Sequence, residues 1–220
     1  MLTRQEIESG YFTELDGFAA LLRSVDESSW SRATRCEGWS VADVAAHVVG
    51  GTTDVVSFNL DGAGSPEWTA RQVDERRGRK PGELADELEA TTKIGSDVLA
   101  GFDQAAWDGP APAGIPGSVG RGVEGLWYDA YVHADDIRAA SGAPSERGPG
   151  LRASVHHVAW LLDNKGWGPA TLAVDGVEQV AVGSGGGRKV TGDALEFVLV
   201  ATGRADPSSL GLDPSVNVYG

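Results

Sequence analysis

The sequence has little cysteine, few basic residues and no long apolar run, and each shortage excludes a class of protein. Cys36 is the single cysteine, so an internal disulfide is excluded and a reducing compartment is favoured. The 18 basic residues face 32 acidic ones, and a net charge of -14 argues against binding to nucleic acid or an anionic membrane. No segment approaches the roughly 20 apolar residues of a membrane span. The N-terminus lacks the apolar core of a secretory signal peptide, so we expect a cytoplasmic protein.

Apolar residues recur at helical spacing through the first two thirds of the chain, which indicates a bundle of helices. The first predicted helix carries its apolar residues on one face: Ile7, Tyr11, Leu15, Phe18 and Leu22. The second begins after Ser40, where Asp43 stands in the position that Glu or Gln usually takes in a capping box.

Two further helices complete the predicted bundle. A polar segment, 61–81, is expected to be a connection, and Pro81 suits the first turn of the third helix. Glycine and proline in 109–122 predict a loop, and a fourth helix is expected from about Val123 to Ala140.

The pattern changes after Pro144 and predicts a small α/β unit. We expect a helix over 151–164, a β-hairpin over 171–182, a helix over 193–202 and a closing strand over 216–219. The chain should therefore divide into a four-helix bundle domain, residues 1–148, and an α/β domain, residues 149–220. Bundle cores are places where such folds hold metal ions.

Asp129, His133 and His47 are the strongest candidate site residues. Asp129 and His133 lie four residues apart in a predicted helix and therefore point to the same side. His47, on the edge of an earlier helix's apolar stripe, could reach the same ion from across the bundle. Three protein ligands leave one coordination position open, which is typical of catalytic zinc. A salt bridge or a solvated edge would also accommodate the carboxylate, and the pattern alone leaves these alternatives open.

Other residues carry weaker signals. Asp136 could orient the His133 ring or could be a solvated acid, and Asp135 is expected to face water. Cys36 has no evident local base and is interpreted as a small buried hydrophobe. The adjacent His156 and His157 diverge by roughly 100° on a helix and do not easily chelate one ion.

Arg204 is a candidate for binding a substrate carboxylate. It stands at the end of the apolar helix 193–202, where a cation is also favoured by the helix dipole alone. The glycine-rich segment 183–187 lacks the Gly-Lys-Ser/Thr ending of a phosphate-binding loop and is interpreted as a flexible connection.

Three segments together resemble the mycothiol-dependent maleylpyruvate isomerase family of DinB-like four-helix-bundle metalloproteins. They are residues 34–43 followed by His47, the run from Asp129 through His133 to Asp136, and residues 191–204. The last segment is similar to the family's C-terminal domain, which is related to sterol-carrier-like α/β domains. The resemblance covers nearly the whole chain.

The resemblance implies a ligand set and a cofactor. The family's ligands, two histidines and a glutamate, correspond to His47, His133 and position 129, which is Asp here. The shorter side chain lacks one bond of roughly 1.5 Å, so the helix must move closer or the carboxylate must bind through water. Arg204 matches an arginine to which the family gives a role. Zinc is the favoured ion, but nickel, iron and cobalt also suit two imidazoles and a carboxylate.

We therefore expect an isomerase or S-transferase that uses mycothiol or a similar small thiol. A metal-bound thiolate would add to a small electrophile, and Arg204 would hold the carboxylate of that substrate. The residues leave two alternatives open. One is a non-catalytic binding module on the same fold, and the other is a metal-dependent hydrolase.

Overall fold

The computed structural model describes residues 2–220, and Met1 lies outside the described residues. The chain forms two compact units, one of residues 3–145 and one of residues 146–220 together with Leu2. The first unit is a helix bundle and the second combines helices with a small sheet, so the expected fold class is confirmed. Within residues 2–220, no helix combines the length and apolar character needed to cross a bilayer.

Four long helices and two short ones build the first unit. They are α1 (Arg4–Ser24), α2 (Val41–Val56), α3 (Pro66–Glu75), α4 (Pro81–Ala100), α5 (Gln104–Asp108) and α6 (Val119–Ser141). Helices α1 and α2 each pack against both α4 and α6, while α3 packs on α2. The core between the long helices is aliphatic and aromatic, with Phe18, Leu15, Leu22, Leu84 and Leu88 almost fully buried.

The start of α2 is fixed by the predicted capping box. The Ser40 side chain accepts a hydrogen bond from the Asp43 backbone N–H, and the Asp43 carboxylate accepts one from the Ser40 N–H. Both hydrogen bonds satisfy backbone N–H groups that have no partner within the helix. The box therefore sets where α2 begins and places His47 less than two turns into it.

Helix α3 lies inside the segment that we expected to be a connection. Ser65 caps it and Pro66 occupies its first turn, both recognised start signals. Gln72 and Val73 are its buried residues, so the helix lacks the apolar stripe that reveals an amphipathic helix in a sequence. Its polar composition explains why the prediction was wrong.

Helix α6 begins four residues before the expected position, at Val119. Gly120, which looked like part of a loop, is a close-packing position, because a Cβ there would lie 2.5 Å from Trp107 Nε1. The helix ends at Ser141 and is capped by Gly142, whose φ of 78° is accessible to glycine with little strain. Asp129 and His133 therefore lie in the middle of a long, regular helix.

The second unit contains α7 (Pro149–Asn164), β1 (Ala170–Asp175), β2 (Val180–Val182), β3 (Arg188–Asp193) and α8 (Ala194–Ala201). The strand order is β2-β1-β3. Ala170 pairs with Val182 in the antiparallel β1–β2 hairpin and with Arg188 in the parallel β1–β3 ladder. Helices α7 and α8 pack against each other, and both contact the sheet.

The predicted hairpin is confirmed, but two expectations for this unit are wrong. Strand β3 went unnoticed because Val190 is its one fully buried side chain. The expected closing strand over 216–219 is absent from the described residues, where a 3-10 helix, Pro214–Val216, and a turn take its place. Pro214 has no backbone N–H to donate to a sheet, which favours the helical turn.

Candidate metal centre

The bundle brings the three predicted ligands together. His47 comes from α2, and Asp129 and His133 lie one turn apart on α6. The Nε2 atom of His47 lies 3.5 Å from Asp129 Oδ2, and the Nε2 atom of His133 lies 3.4 Å from Asp129 Oδ1. One ligand atom from each residue lies within 4.8 Å of the other two. The two ring nitrogens thus face one carboxylate.

This spacing suits a divalent ion. Two ligand atoms at 2.0–2.1 Å from a tetrahedral zinc ion lie roughly 3.4 Å apart. The distances from the Asp129 oxygens to the two imidazoles are already 3.5 and 3.4 Å. The Asp129 side chain is 37% exposed, whereas the His133 side chain is only 9% exposed, so solvent reaches the centre on the carboxylate side. The donor set therefore fits a metal ion with an open position.

The charges at the centre are strongly coupled. Partial burial raises the pKa of Asp129, but the charge of His133 and hydrogen bonds from His133 and His47 outweigh it and hold that pKa well below its usual value. Burial likewise lowers the pKa of His133, but the charge of Asp129 and hydrogen bonds from its neighbours raise it well above the usual value. The carboxylate thus favours a positive charge beside it.

The second ring nitrogen of His133 faces a buried acid. Asp136 is fully buried, and its Oδ2 atom lies 3.2 Å from His133 Nδ1. Arg35 Nε lies 3.0 Å from Asp136 Oδ1, and Arg35 Nη2 lies 2.6 Å from Asp135 Oδ2. Of the two alternatives for Asp136, the solvated acid is thereby excluded. Asp135, expected to face water, is only 1% exposed, because Arg35 supplies the opposite charge.

Cys36 is not the buried hydrophobe that we expected. Its side chain is half-buried, and Sγ lies 3.3 Å from Asp136 Oδ2 and 3.8 Å from His133 Nδ1. Cys36, His133 and Asp136 also bring potential ligand atoms within 4.8 Å of one another. The Arg35 guanidinium beside Asp136 opposes a second cation there. The group on the Nε2 side of His133 is therefore the stronger candidate for a metal centre.

Two side chains that sequence reasoning missed complete the surroundings of His47. Its Nδ1 atom lies 3.0 Å from Oε1 of Gln72, which is fully buried in α3. The Trp39 ring lies with its centroid 5.2 Å from the His47 ring and 6.4 Å from the His133 ring. Trp39 stands within the motif at 34–43, but Gln72 lies in the unrecognised helix, and no local signal singles it out.

The remaining candidates belong to the second unit. Arg204 follows the C-terminus of α8, and its Nη1 atom lies 3.5 Å from the backbone oxygen of Thr202. His156 Nε2 lies 2.8 Å from Glu178 Oε1, whereas the His157 ring packs against Trp160. The adjacent histidines thus have different neighbours. The unit of residues 3–145 contains all three predicted metal ligands and does not include Arg204.

Two protein sequences from Mycobacterium tuberculosis, strains CDC 1551 and H37Rv, are similar to this chain, and both are described as uncharacterised. Each is 28% identical over 137 residues, which is 62% of this chain and 68% of the relative.

Solved structures and a family model give the chain its place among known proteins. Crystal structures of the mycothiol-dependent maleylpyruvate isomerase and of its histidine-to-alanine mutant align with a TM-score of 0.65, covering 97% of this chain and 96% of theirs. At 17% identity this likeness shows the fold. The model of the mycothiol maleylpyruvate isomerase N-terminal domain matches residues 12–138, which include all three predicted ligands. That range is more than half of the chain, and the chain therefore belongs to this family, which is named for an enzyme.

Proposed function

We propose that this protein is a metal-dependent isomerase or S-transferase that joins a small thiol to a small, carboxylate-bearing electrophile. The observation that carries the proposal is the convergence of His47, Asp129 and His133, whose ligand atoms all lie within 4.8 Å of one another, with Asp129 oxygens 3.5 and 3.4 Å from the two imidazoles. Membership of a family named for a mycothiol-dependent isomerase supports the thiol. Zinc is the ion that we favour, while nickel, iron and cobalt accept the same ligands.

Each residue has a defined part in this proposal. His47 and His133 would bind the ion through Nε2, and Asp129 would supply the negative charge. A bound divalent ion lowers the pKa of a coordinated thiol and so provides the thiolate at neutral pH. Arg204 would hold the substrate carboxylate through two parallel hydrogen bonds.

The reaction itself needs no oxidant or reductant. The thiolate sulfur adds to one carbon of a cis double bond, and the electron pair moves into the conjugated carbonyl. The remaining carbon–carbon single bond can then rotate, and elimination of the thiolate gives the trans product. In a transferase, the carbanion takes a proton instead and the sulfur stays on the product.

The test is turnover by the zinc-loaded protein with mycothiol and a panel of unsaturated carboxylates, beginning with maleylpyruvate. Product formation with catalytic thiol indicates an isomerase, and thiol consumption with an added product mass indicates a transferase. Hydrolysis of a substrate without thiol would replace the proposal with a metal-dependent hydrolase. No turnover, combined with ligand-induced thermal stabilisation, would replace it with a binding module.

The role of Arg204 is tested separately by the Arg204→Ala variant. We expect KM for the carboxylate substrate to rise, with metal content unchanged. The matched control is Arg188→Ala in the same unit, whose side chain is 50% exposed and should leave KM unaltered. An unchanged KM in Arg204→Ala would remove Arg204 from the proposal.

A further inference from the structure

We propose that Gln72 is the positioning residue of His47: it keeps the proton of the neutral imidazole on Nδ1 and leaves the Nε2 lone pair for the metal ion. The inference rests on the proposed metal centre and extends it to α3. Outer partners of metal-binding histidines commonly fix the ring in this way.

The orientation of the Gln72 side-chain amide follows from its two neighbours. Its Nε2 atom donates to Asp54 Oδ2 at 2.8 Å, and its Oε1 atom lies 3.0 Å from His47 Nδ1. A carboxylate accepts hydrogen bonds and has none to donate, so the amide NH₂ must face Asp54. The oxygen then faces His47, and Nδ1 must be the donor. The opposite nitrogen, Nε2, is directed towards Asp129 at 3.5 Å.

Asp54 is itself held in place. Its Oδ2 atom also accepts from Arg71 Nη2 at 2.8 Å, and its Oδ1 atom accepts from Asn59 Nδ2 at 2.9 Å. Gln72 is fully buried and Asp54 is 5% exposed. This network is rigid, because breaking the bond between Gln72 and Asp54 leaves the desolvated amide NH₂ group of Gln72 unpaired. Arg71, Asp54 and Gln72 therefore form a relay of hydrogen bonds that ends on His47.

The absence of a side chain at Gly50 leaves room on α2 for Gln72. A Cβ at Gly50 would lie 2.6 Å from Gln72 Cβ and 2.9 Å from Arg76 Nη1. Arg76 Nη1 also donates to the backbone oxygen of Gln72 at 3.3 Å. The backbone of α3 is thus held close against α2, one turn beyond His47. If Gln72 served only to fill this space, a side chain of similar size without an amide, as in Gln72→Met, would leave the tautomer of His47 unchanged.

The first experiment determines the tautomer of His47 without any metal, by imidazole ¹⁵N NMR at a pH where the ring is neutral. The background is Asp129→Ala, which removes the carboxylate facing Nε2, and His47→Ala assigns the signal. We expect the proton on Nδ1 in this background, and a loss of that preference once Gln72→Met is added. A proton on Nε2, or the same tautomer ratio with and without Gln72→Met, would overturn the inference.

The second experiment measures Zn²⁺ affinity by competition with a chromophoric chelator. Gln72→Met should weaken binding roughly 10- to 100-fold. The double variant Asp54→Asn with Gln72→Glu keeps the net charge and reverses the hydrogen bond between these two residues, although the one from Arg71 Nη2 is lost. An oxygen again faces Nδ1, and binding should recover part of the way towards the wild-type value. Equal affinity in Gln72→Met and the wild type would contradict the inference.

The two experiments separate this inference from the proposed function. If the wild-type protein binds no divalent ion, the proposed metal centre fails, and the tautomer measurement alone decides whether Gln72 orients His47. If the ion binds but the tautomer does not depend on Gln72, the metal centre stands and the relay is wrong.

Discussion

The two imidazoles of the candidate metal centre receive support from different parts of the molecule. His133 contacts Asp136, which lies three residues further along the same helix. His47 contacts Gln72, which lies 25 residues away on another helix. The first partner can be anticipated from helical spacing, whereas the second exists only because α3 packs on α2. Two ligands of one site can therefore each have a hydrogen-bonding partner, although only one of those partners can be predicted from the sequence.

The partners of the two imidazoles also differ in charge. Asp136 belongs to a buried charged group with Arg35 and Asp135, whereas the amide of Gln72 carries no charge of its own. Substitutions among the partners of His133 should therefore affect the stability of the fold, while substitutions among the partners of His47 should mainly affect metal affinity.

Removal of either imidazole should abolish the metal centre. We expect His133→Ala and His47→Ala each to reduce zinc from roughly one ion per chain to none, because two remaining ligands rarely hold a catalytic ion. The measurement is metal analysis after dialysis, with His156→Ala, in the second unit, as the control. Retention of stoichiometric zinc by either of the first two variants would show that the corresponding histidine is not a ligand.

Arg35→Ala should destabilise the protein far more than Arg71→Ala. Loss of Arg35 removes the cation that pairs with two buried acids, Asp135 and Asp136, at a cost of about 3 kcal/mol. Arg71 is 34% exposed, and Asp54 would keep Gln72 and Asn59 as partners, so about 1 kcal/mol or less is expected. Urea unfolding of both variants provides the comparison, and equal losses would contradict the asymmetry.

Gly50→Ala should push α3 away from α2. Because the added methyl group would lie 2.6 Å from Gln72 Cβ, we expect a loss of about 1–3 kcal/mol in unfolding free energy and a weaker zinc site. The matched control is Gly17→Ala in α1, where a Cβ meets no atom within 4 Å. That variant should gain up to about 1 kcal/mol from helix propensity. A neutral Gly50→Ala would show that the contact between α3 and α2 is loose.

Asp136→Asn should have the smallest of these effects on Zn²⁺ affinity. The amide oxygen can still accept a hydrogen bond from His133 Nδ1, but the NH₂ group then faces Arg35 Nε, which costs stability. The ring also loses the negative charge that strengthens its basicity. We expect Zn²⁺ affinity to fall about tenfold. Asp97→Asn, an exposed acid on α4, serves as the control in the same chelator competition. An unchanged affinity would mean that the charge of Asp136 pairs with Arg35 and does not influence metal binding.

Regular apolar spacing accounts for what could be predicted of the fold. The four long helices each bury a stripe of side chains, and the capping box at Ser40 marks the start of α2. Helix α3 and strand β3 bury too few apolar side chains to show a period, and both were missed. Their structure depends on packing against neighbours, which override the weak local signal.

Asp129 and His133 share one face of a helix for a local reason, because helical geometry depends only on hydrogen bonds between near neighbours in the chain. Local signals also set the start of α2 and hence the position of His47 along it. Packing between distant segments places His47 opposite that face, brings Arg35 to two buried acids, and brings Gln72 to His47. These contacts join residues distant in sequence, and they arise when apolar faces pack together, a process whose partners no local spacing specifies.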